Sequence, residues 1–218
     1  MFEYSYIEKL LYEKKVLGFY LSEHPLSKYT EEIKFISKYD LSLIDELPDE
    51  APLFVAGLLT EIQLKFDKKN QTMCIGFLDT LDGALETIIF SSVYEKYKDL
   101  IFENSFVYIF GRFEKLYSNR FCAIKIFPIE NGFSEIISKI NVIIDNVAPD
   151  ETIIKTLNNL INNQQDGKTK IFISLKTDAN NFAVIKPKKN QIKVDYNFII
   201  ELQTRFGEEN IKIEYSAF

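Results

Sequence analysis

The sequence predicts a multi-domain chain, mainly β in its middle and α+β at its end, led by a helical segment. Three observations carry this. Residues 1–50 place Ile7, Leu10, Leu11, Leu17 and Leu21 at roughly helical spacing. Residues 51–130 hold five short runs rich in β-branched and aromatic residues, with turn signals between them. Residues 131–218 mix strand-like runs with two amphipathic helical patterns.

The first helix is expected to carry the apolar stripe above, weakened at Gly18 and ended by His24-Pro25, because proline disfavours helix at the residue before it. A second, shorter helix is expected over Ser27–Tyr39. Leu47–Pro52 (LPDEAP) reads as a linker with two prolines and two acids. The runs then follow as LFVAGLLTEIQLKF, TMCIGFL, ALETIIF, SFVYIFGRF and RFCAIKIF. Asp67–Gln71, Asp79–Gly83 and Tyr117–Asn119 supply turns. Between the third and fourth runs, Ser91 or Ser92 can cap a helix striped by Val93, Tyr97 and Leu100.

Five short strands with a helix between the third and fourth is the layout of an OB-fold barrel. Gly57 suits the bend that such a barrel needs in its long first strand. Val107, Ile109, Gly111 and Phe113 are expected to face the interior. Tyr108, Phe110 and Arg112 are expected on the outer face. In the fifth run Cys122, Ile124 and Ile126 oppose Phe121, Ala123 and Lys125.

The last third is expected to run β-α-β-β-α-β. Ile140–Ile144 reads as a strand and Asp150 caps a helix bearing Ile153, Ile154, Leu157, Leu160 and Ile161. Asp166-Gly167 turns the chain into KIFISLK. NFAVIK and QIKV follow. Asp195 caps a second helix, closed by Gly207, and IKIEY ends the chain. The expected domains are a helical connector at 1–50, the OB-fold at 51–130 and an α+β domain at 131–218.

Composition narrows the function. With 46% hydrophobic and 27% charged residues, the 218-residue chain has ample material for a core. The net charge of −6 divides as −5 over residues 1–50, −1 over 51–130 and 0 over 131–218. No third is a basic nucleic-acid domain by bulk charge, so any polyanion binding must rest on local patches. Two cysteines, Cys74 and Cys122, form neither a disulfide framework nor a zinc site, and point to a reducing, cytoplasmic compartment. No apolar run reaches membrane-spanning length, and the N-terminus does not read as a signal peptide.

No catalytic constellation is evident. His24, the one histidine, has only its sequence neighbour Glu23 as a candidate orienting group, so a structural role is expected. Asp79 and Asp82 sit in an Asp-x-x-Asp-Gly turn, where aspartate serves local hydrogen bonds rather than a metal. Cys74 and Cys122 read as buried apolar residues. Neither metal nor cofactor is expected, and no phosphate-binding loop or hydrolase elbow is present. An independent nuclease or transferase therefore has no support in the residues.

The informative cluster is basic and aromatic. Lys65, Phe66, Lys68 and Lys69 surround the loop after the first run. Arg112, Lys115, Tyr117, Arg120 and Phe121 surround the connection between the fourth and fifth. In an OB-fold these loops flank the ligand groove, where lysines neutralise phosphates and rings stack on unpaired bases. Single-stranded DNA is the expected ligand. For Phe66 and Phe121 a core position is equally open. The alternative is a protein-interaction module whose barrel touches no DNA, in keeping with the acidic balance.

The stretch EKKVLGFYLSEHPL (residues 13–26) closely resembles the segment leading into the OB domain of the bacterial DNA polymerase III alpha subunit family. That family usually reads Glu-Lys-Glu-x-Leu-Gly-Phe-Tyr-Leu-Ser-Gly-His-Pro-Leu. Glu13, Leu17, Gly18, Phe19, Tyr20, Leu21, Ser22, His24, Pro25 and Leu26 match, and Glu23 replaces a glycine. VAGLLTEIQLKFDKKNQTMCIGFLDTLDGALETIIF is similar to the family's first three OB strands, with Asn70 or Gln71 where a glycine usually stands. FGRFEK resembles its fourth strand, and NFIIELQTRFGEENIKIEY its C-terminal domain. The resemblance implies a C-terminal, non-catalytic part of a nucleotidyltransferase. Its OB domain contacts single-stranded template, and its last domain binds the tau subunit of the clamp loader. The remainder of the polymerase and the sliding clamp lie nearby. Residues 13–26 are then the connector, packed down by Phe19, Tyr20, Leu21 and Leu26.

Overall fold

In the computed structural model, which describes residues 5–37, 41–115, 120–144, 151–176 and 182–216, the first element is helix α1 (Tyr6–Leu17). Ser5 and Glu8 start it with a reciprocal cap. The Glu8 N–H donates to Ser5 Oγ and the Ser5 N–H to Glu8 Oε2, at 3.3 and 2.7 Å. Gly18 ends it in the left-handed conformation, φ 85°, with its N–H on the Lys14 carbonyl. The helix therefore stops a turn and a half before His24-Pro25, because glycine adopts that conformation without a Cβ penalty. A 3₁₀ turn (Ser27–Tyr29) leads into α2 (Thr30–Ile36). The expected second helix is thus shorter, since Ser37 is extended and ends it; Lys38 and Tyr39 lie outside the described residues.

The chain forms two compact units, Met1–Pro128 and Ile129–Phe218. In the first, β1 (Ala51–Phe66), β2 (Thr72–Thr80) and β3 (Gly83–Ile89) form an antiparallel meander. Helix α3 (Ser91–Tyr97) follows, then β4 (Phe106–Glu114) and β5 (Arg120–Pro128). β5 pairs antiparallel with β4 and parallel with β3, and β4 returns to β1, so the strand ring closes in the order β1-β2-β3-β5-β4. Leu53, Leu59, Leu78, Ile109, Phe113 and Phe121 fill its interior. Ala51 and Pro52 already belong to β1, so the expected linker ends inside the sheet.

Several local expectations change. The break in β1 falls after Thr60, where Glu61 takes φ 52° and the register with β2 shifts before Gln63. Gly57 instead allows a close crossing, since a Cβ there would lie 2.5 Å from Leu78 Cγ. In β5 a register shift around Ile124 reverses the alternation. Phe121 and Ala123 point inward, and so does Ile126 beyond the shift, whereas Ile124 is exposed. Tyr108 and Phe110 do sit outside the barrel core, but both are buried. Phe54 stacks at 5.0 Å from Phe110, and Tyr29 and Glu32 of the helical segment lie near Tyr108. Helix α3 has Phe90 rather than a serine at its cap position, and Ser91 donates to Asp67 instead.

In the second unit, α4 (Ile129–Ile136) precedes β6 (Ile137–Ile144). After α5 (Glu151–Asn163) come β7 (Asp166–Lys176), β8 (Phe182–Ile185) and β9 (Gln191–Ile192). The unit ends with α6 (Tyr196–Phe206) and β10 (Ile211–Tyr215). The sheet runs β10-β6-β7-β8, with β9 also on β7 and β6–β7 parallel. α4 went unrecognised because Asn131-Gly132 reads as a turn. Burying Ile129, Phe133 and Ile136 against β6 and β7 outweighs that local preference. Gly167 lies within β7, where a Cβ would meet the Ile192 backbone at 2.4 Å. Asp195 caps α6 through the Phe198 N–H, as expected, whereas Asp150 lies outside the described residues. No described helix is long and apolar enough to cross a membrane.

Candidate nucleic-acid interface

The strand registers define one outward surface of the barrel. Lys65 pairs with Met73, Gln63 with Ile75, Ile75 with Ile88, and Ile88 with Cys122. Phe77 pairs with Glu86, Cys122 with Arg112, and Arg120 with Glu114. These side chains alternate with the interior set, so they share the outer face. Its centre is apolar and its margins are charged.

The β1–β2 hairpin and the first residues of β5 stand at opposite margins. The β1–β2 hairpin rises past the Ile89 end of β3, since Cys74 lies opposite Ile89. The start of β5, with Arg120, lies toward the other end, since Phe121 lies beside Thr87 on a parallel strand. From strand spacing and rise, Lys65 and Arg120 are roughly 20 Å apart across this face.

The β1–β2 hairpin is well built. The Asp67 carboxylate accepts from the backbone N–H of Lys69 and Gln71 at 2.8 and 2.9 Å, and from Ser91 Oγ at 2.8 Å. Those hydrogen bonds, the Gln71 backbone first, hold its carboxyl below the ordinary value. Asn70 takes φ 60°, so asparagine supplies the left-handed residue for which glycine is usual. Lys65, Phe66, Lys68 and Lys69 are all exposed, Phe66 by 71%. Phe66 pairs with Thr72 and therefore falls on the face opposite Lys65.

At the other margin the cations are engaged. Arg120 Nε lies 3.2 Å from Glu86 Oε1, and Arg112 Nη1 lies 3.6 Å from Glu50 Oε2. Lys115 donates its backbone N–H to Asp49. Tyr117 lies outside the described residues. Phe121 is fully buried in the barrel core, which removes it from any stacking surface; the register of β5 turned its ring inward. Sequence reasoning missed Met73, Ile75 and Phe77, because only the paired registers show that they share the surface between the hairpin and the start of β5; Ile88, on the same face, is buried. Phe77 is 37% exposed there.

Asp79, at the end of β2, is buried and has a separate task. Lys14 Nζ lies 2.5 Å from its Oδ2, Tyr20 donates its hydroxyl at 2.7 Å, and His24 Nε2 stands 3.7 Å away. Burial would raise the Asp79 carboxyl, but the approach of His24, Lys14 and Tyr20 outweighs it and holds the group at about 2. The Lys14 and Tyr20 contacts dominate that balance, because 3.7 Å is too long for a hydrogen bond. Glu13 accepts from the Leu21 and Ser22 N–H groups and from Ser22 Oγ, closing the loop after α1. Leu26 is completely buried, whereas Phe19 and Leu21 are 57% and 69% exposed and do not pack this segment down.

Cys74 and Cys122 are free and buried. Burial pushes the Cys74 thiol up to about 11. Burial, followed by Glu114, pushes Cys122 up to about 12. Such thiols are poor nucleophiles and ligands at neutral pH. Among the described residues no group of three or more His, Cys, Asp or Glu side chains could hold a metal ion.

The molecule is thus a barrel with a charged-rimmed outer face joined to an α+β unit, and its relatives are proteins of DNA replication. DNA polymerase III subunit alpha of Borreliella burgdorferi is 31% identical over 186 residues, covering 83% of this chain and 14% of that protein. The same subunit of Buchnera aphidicola (from Acyrthosiphon pisum) is 25% identical over 218 residues, and that of Halalkalibacterium halodurans 25% over 213. Each covers 95% of this chain and 18% of the relative. No protein-family model matches the chain. The chain belongs to the DNA polymerase III alpha subunit family, and it spans less than a fifth of the length of these relatives.

Proposed function

We propose that the chain is a non-catalytic, C-terminal part of a replicative polymerase alpha subunit. Its barrel is an OB-fold that binds single-stranded template DNA, and residues 131–218 dock the tau subunit of the clamp loader. The observation that supports the DNA reading is the exposed lysines of the β1–β2 hairpin at one margin of an outer face and Arg112 and Arg120 at the other, with Met73, Ile75 and Phe77 between them. Lysines on one rim meet phosphates, and the apolar floor meets bases. The docking reading is supported by kinship with a replication polymerase alone.

The test is fluorescence anisotropy of labelled oligo-dT with the Lys68→Ala, Lys69→Ala double variant. Each phosphate contact on single strands contributes about 0.7 to the slope of log affinity against log salt, so the slope falls by about 1.4 and binding weakens at low salt. An unchanged slope and affinity in the variant would remove the hairpin from the site.

A second reading, a barrel that binds protein and no DNA, is favoured by the neutralised arginines. Arg112 and Arg120 already face Glu50 and Glu86. Oligo-dT that fails to bind the wild-type chain at tens of micromolar in low salt would select this reading.

A further inference from the structure

We propose that β8 is a strand-addition site: its free edge takes an extended, apolar segment with flanking acidic residues from a protein partner. This rests on the docking reading of residues 131–218. β8 is the last strand of its sheet path and, among the described residues, pairs with β7 alone, through Ile173–Ile185, Ser174–Val184, Leu175–Ala183 and Lys176–Phe182. Every second residue of such a strand turns its N–H and C=O away from its one neighbour, and those groups fit the backbone of another strand.

The side chains support the same occupant. All four residues of β8 are exposed, with Phe182 at 47%, Val184 at 65% and Ile185 at 41%. Sheet edges facing only water are usually blunted by charge within the strand. Here the charges stand beyond it: Lys186 and Lys188, both exposed, follow its C-terminal end, with the buried Pro187 between them. An added strand would therefore present apolar residues opposite Phe182 and Val184 and carboxylates opposite the lysines. The half-buried Ile143 and Phe172 lie on the same sheet face as Phe182 and Val184. Backbone complementarity fixes the partner's conformation as extended, and the lysines fix the sign of its charge.

The experiment uses the full chain and purified tau. Amide hydrogen exchange is followed at Phe182–Ile185 with and without tau, and the affinity of Val184→Glu is compared with wild type. Val184 is largely exposed, so the variant keeps the wild-type melting curve. Strand addition predicts at least tenfold slower exchange in β8 on binding, and at least tenfold weaker binding by Val184→Glu. If tau binds both proteins equally and β8 exchange is unchanged, strand addition is overturned while the docking reading stands. If tau does not bind the wild-type chain, the docking reading fails and the inference fails with it. If the chain alone dimerises with β8 protected, the edge serves self-association and the proposal is overturned.

Discussion

Tyr20 donates its hydroxyl to Asp79 Oδ2 at 2.7 Å, tying the segment after α1 to the end of β2, and His24 Nε2 stands 3.7 Å from the same oxygen. The other nitrogen of the His24 ring, Nδ1, accepts the Leu26 N–H at 3.1 Å. Tyr20 stacks edge-on against the same ring at 4.8 Å, and Lys14 lies over the Tyr20 ring at 5.0 Å. One carboxylate thus organises three residues of the EKKVLGFYLSEHPL segment. Lys14 and Tyr20 hold the segment, the histidine packs beside them, and the aspartate is a buried anchor.

Replacing that carboxylate by its neutral isostere isolates the charge. Asp79→Asn leaves Lys14 without its buried counter-ion, and urea unfolding at pH 7, followed by tyrosine fluorescence, should show a loss of about 2 kcal/mol. The pH dependence carries a sign. The carboxyl is held at about 2 in the folded chain against 3.8 unfolded. Its contribution is complete above about pH 4 and is lost as pH falls toward 2, about 2 kcal/mol in all. Wild type should therefore lose that increment over this window and Asp79→Asn should not; parallel acid limbs would contradict the anchor.

Tyr20→Phe keeps the ring and removes only the hydroxyl that donates to Asp79 at 2.7 Å. A hydrogen bond to a buried carboxylate is worth about 1.5–3 kcal/mol, and the partly accessible site places this one at the lower end. Thermal unfolding should show a drop of about 1.5 kcal/mol. In the Asp79→Asn background the same change should cost less, because the acceptor is no longer charged. Additive losses in that double-mutant cycle would mean that the two groups do not act together.

Two glycines should separate conformational strain from steric exclusion. At Gly18, φ is 85° and nothing lies within 4 Å of an added Cβ, so Gly18→Ala carries only the left-handed penalty, about 1–2 kcal/mol. At Gly111 a Cβ would come within 2.4 Å of the Cys122 carbonyl and 2.8 Å of the Phe121 ring. Gly111→Ala should cost about 3 kcal/mol or more, since backbone and a packed ring must both move. Equal midpoints for the two variants in urea would contradict the packing inside the barrel.

Strand order was legible in the sequence because runs such as TMCIGFL and RFCAIKIF are bounded by plain turn residues. What each strand presents was less so. The alternation in RFCAIKIF points Phe121 outward only if the strand is regular. A single shift near Ile124 reverses it, and no residue type marks that shift. The α1 terminus was misread for a related reason: Gly18 and Pro25 both end helices, and the earlier one acts first. Lys65, Lys68 and Lys69 could be placed from the hairpin itself, being local to it. Met73, Ile75 and Ile88 could not, because their common face exists only once β1, β2, β3 and β5 are paired. The task of Asp79 was hidden for the same reason, as its partners come from α1 and the loop beyond it.

The two phenylalanines that the sequence treats alike should part completely. Phe121 is fully buried among Phe113, Ile109 and their neighbours, so Phe121→Ala leaves a cavity in the barrel and should cost about 3–5 kcal/mol. Phe66 sits 71% exposed at the end of β1, so Phe66→Ala should change stability by no more than about 0.5 kcal/mol. Under the proposed function the order inverts for binding. A ring that stacks on an unpaired base contributes about 1–3 kcal/mol, so Phe66→Ala should weaken oligo-dT binding by about fivefold or more. Because Phe66 falls on the face opposite Lys65, that effect requires the strand to wrap the hairpin tip rather than stop at the β2–β3 floor. Anisotropy titrations at fixed salt on the folded Phe66→Ala protein decide the point: wild-type affinity would confine the DNA to the face that carries Lys65, Met73 and Ile75.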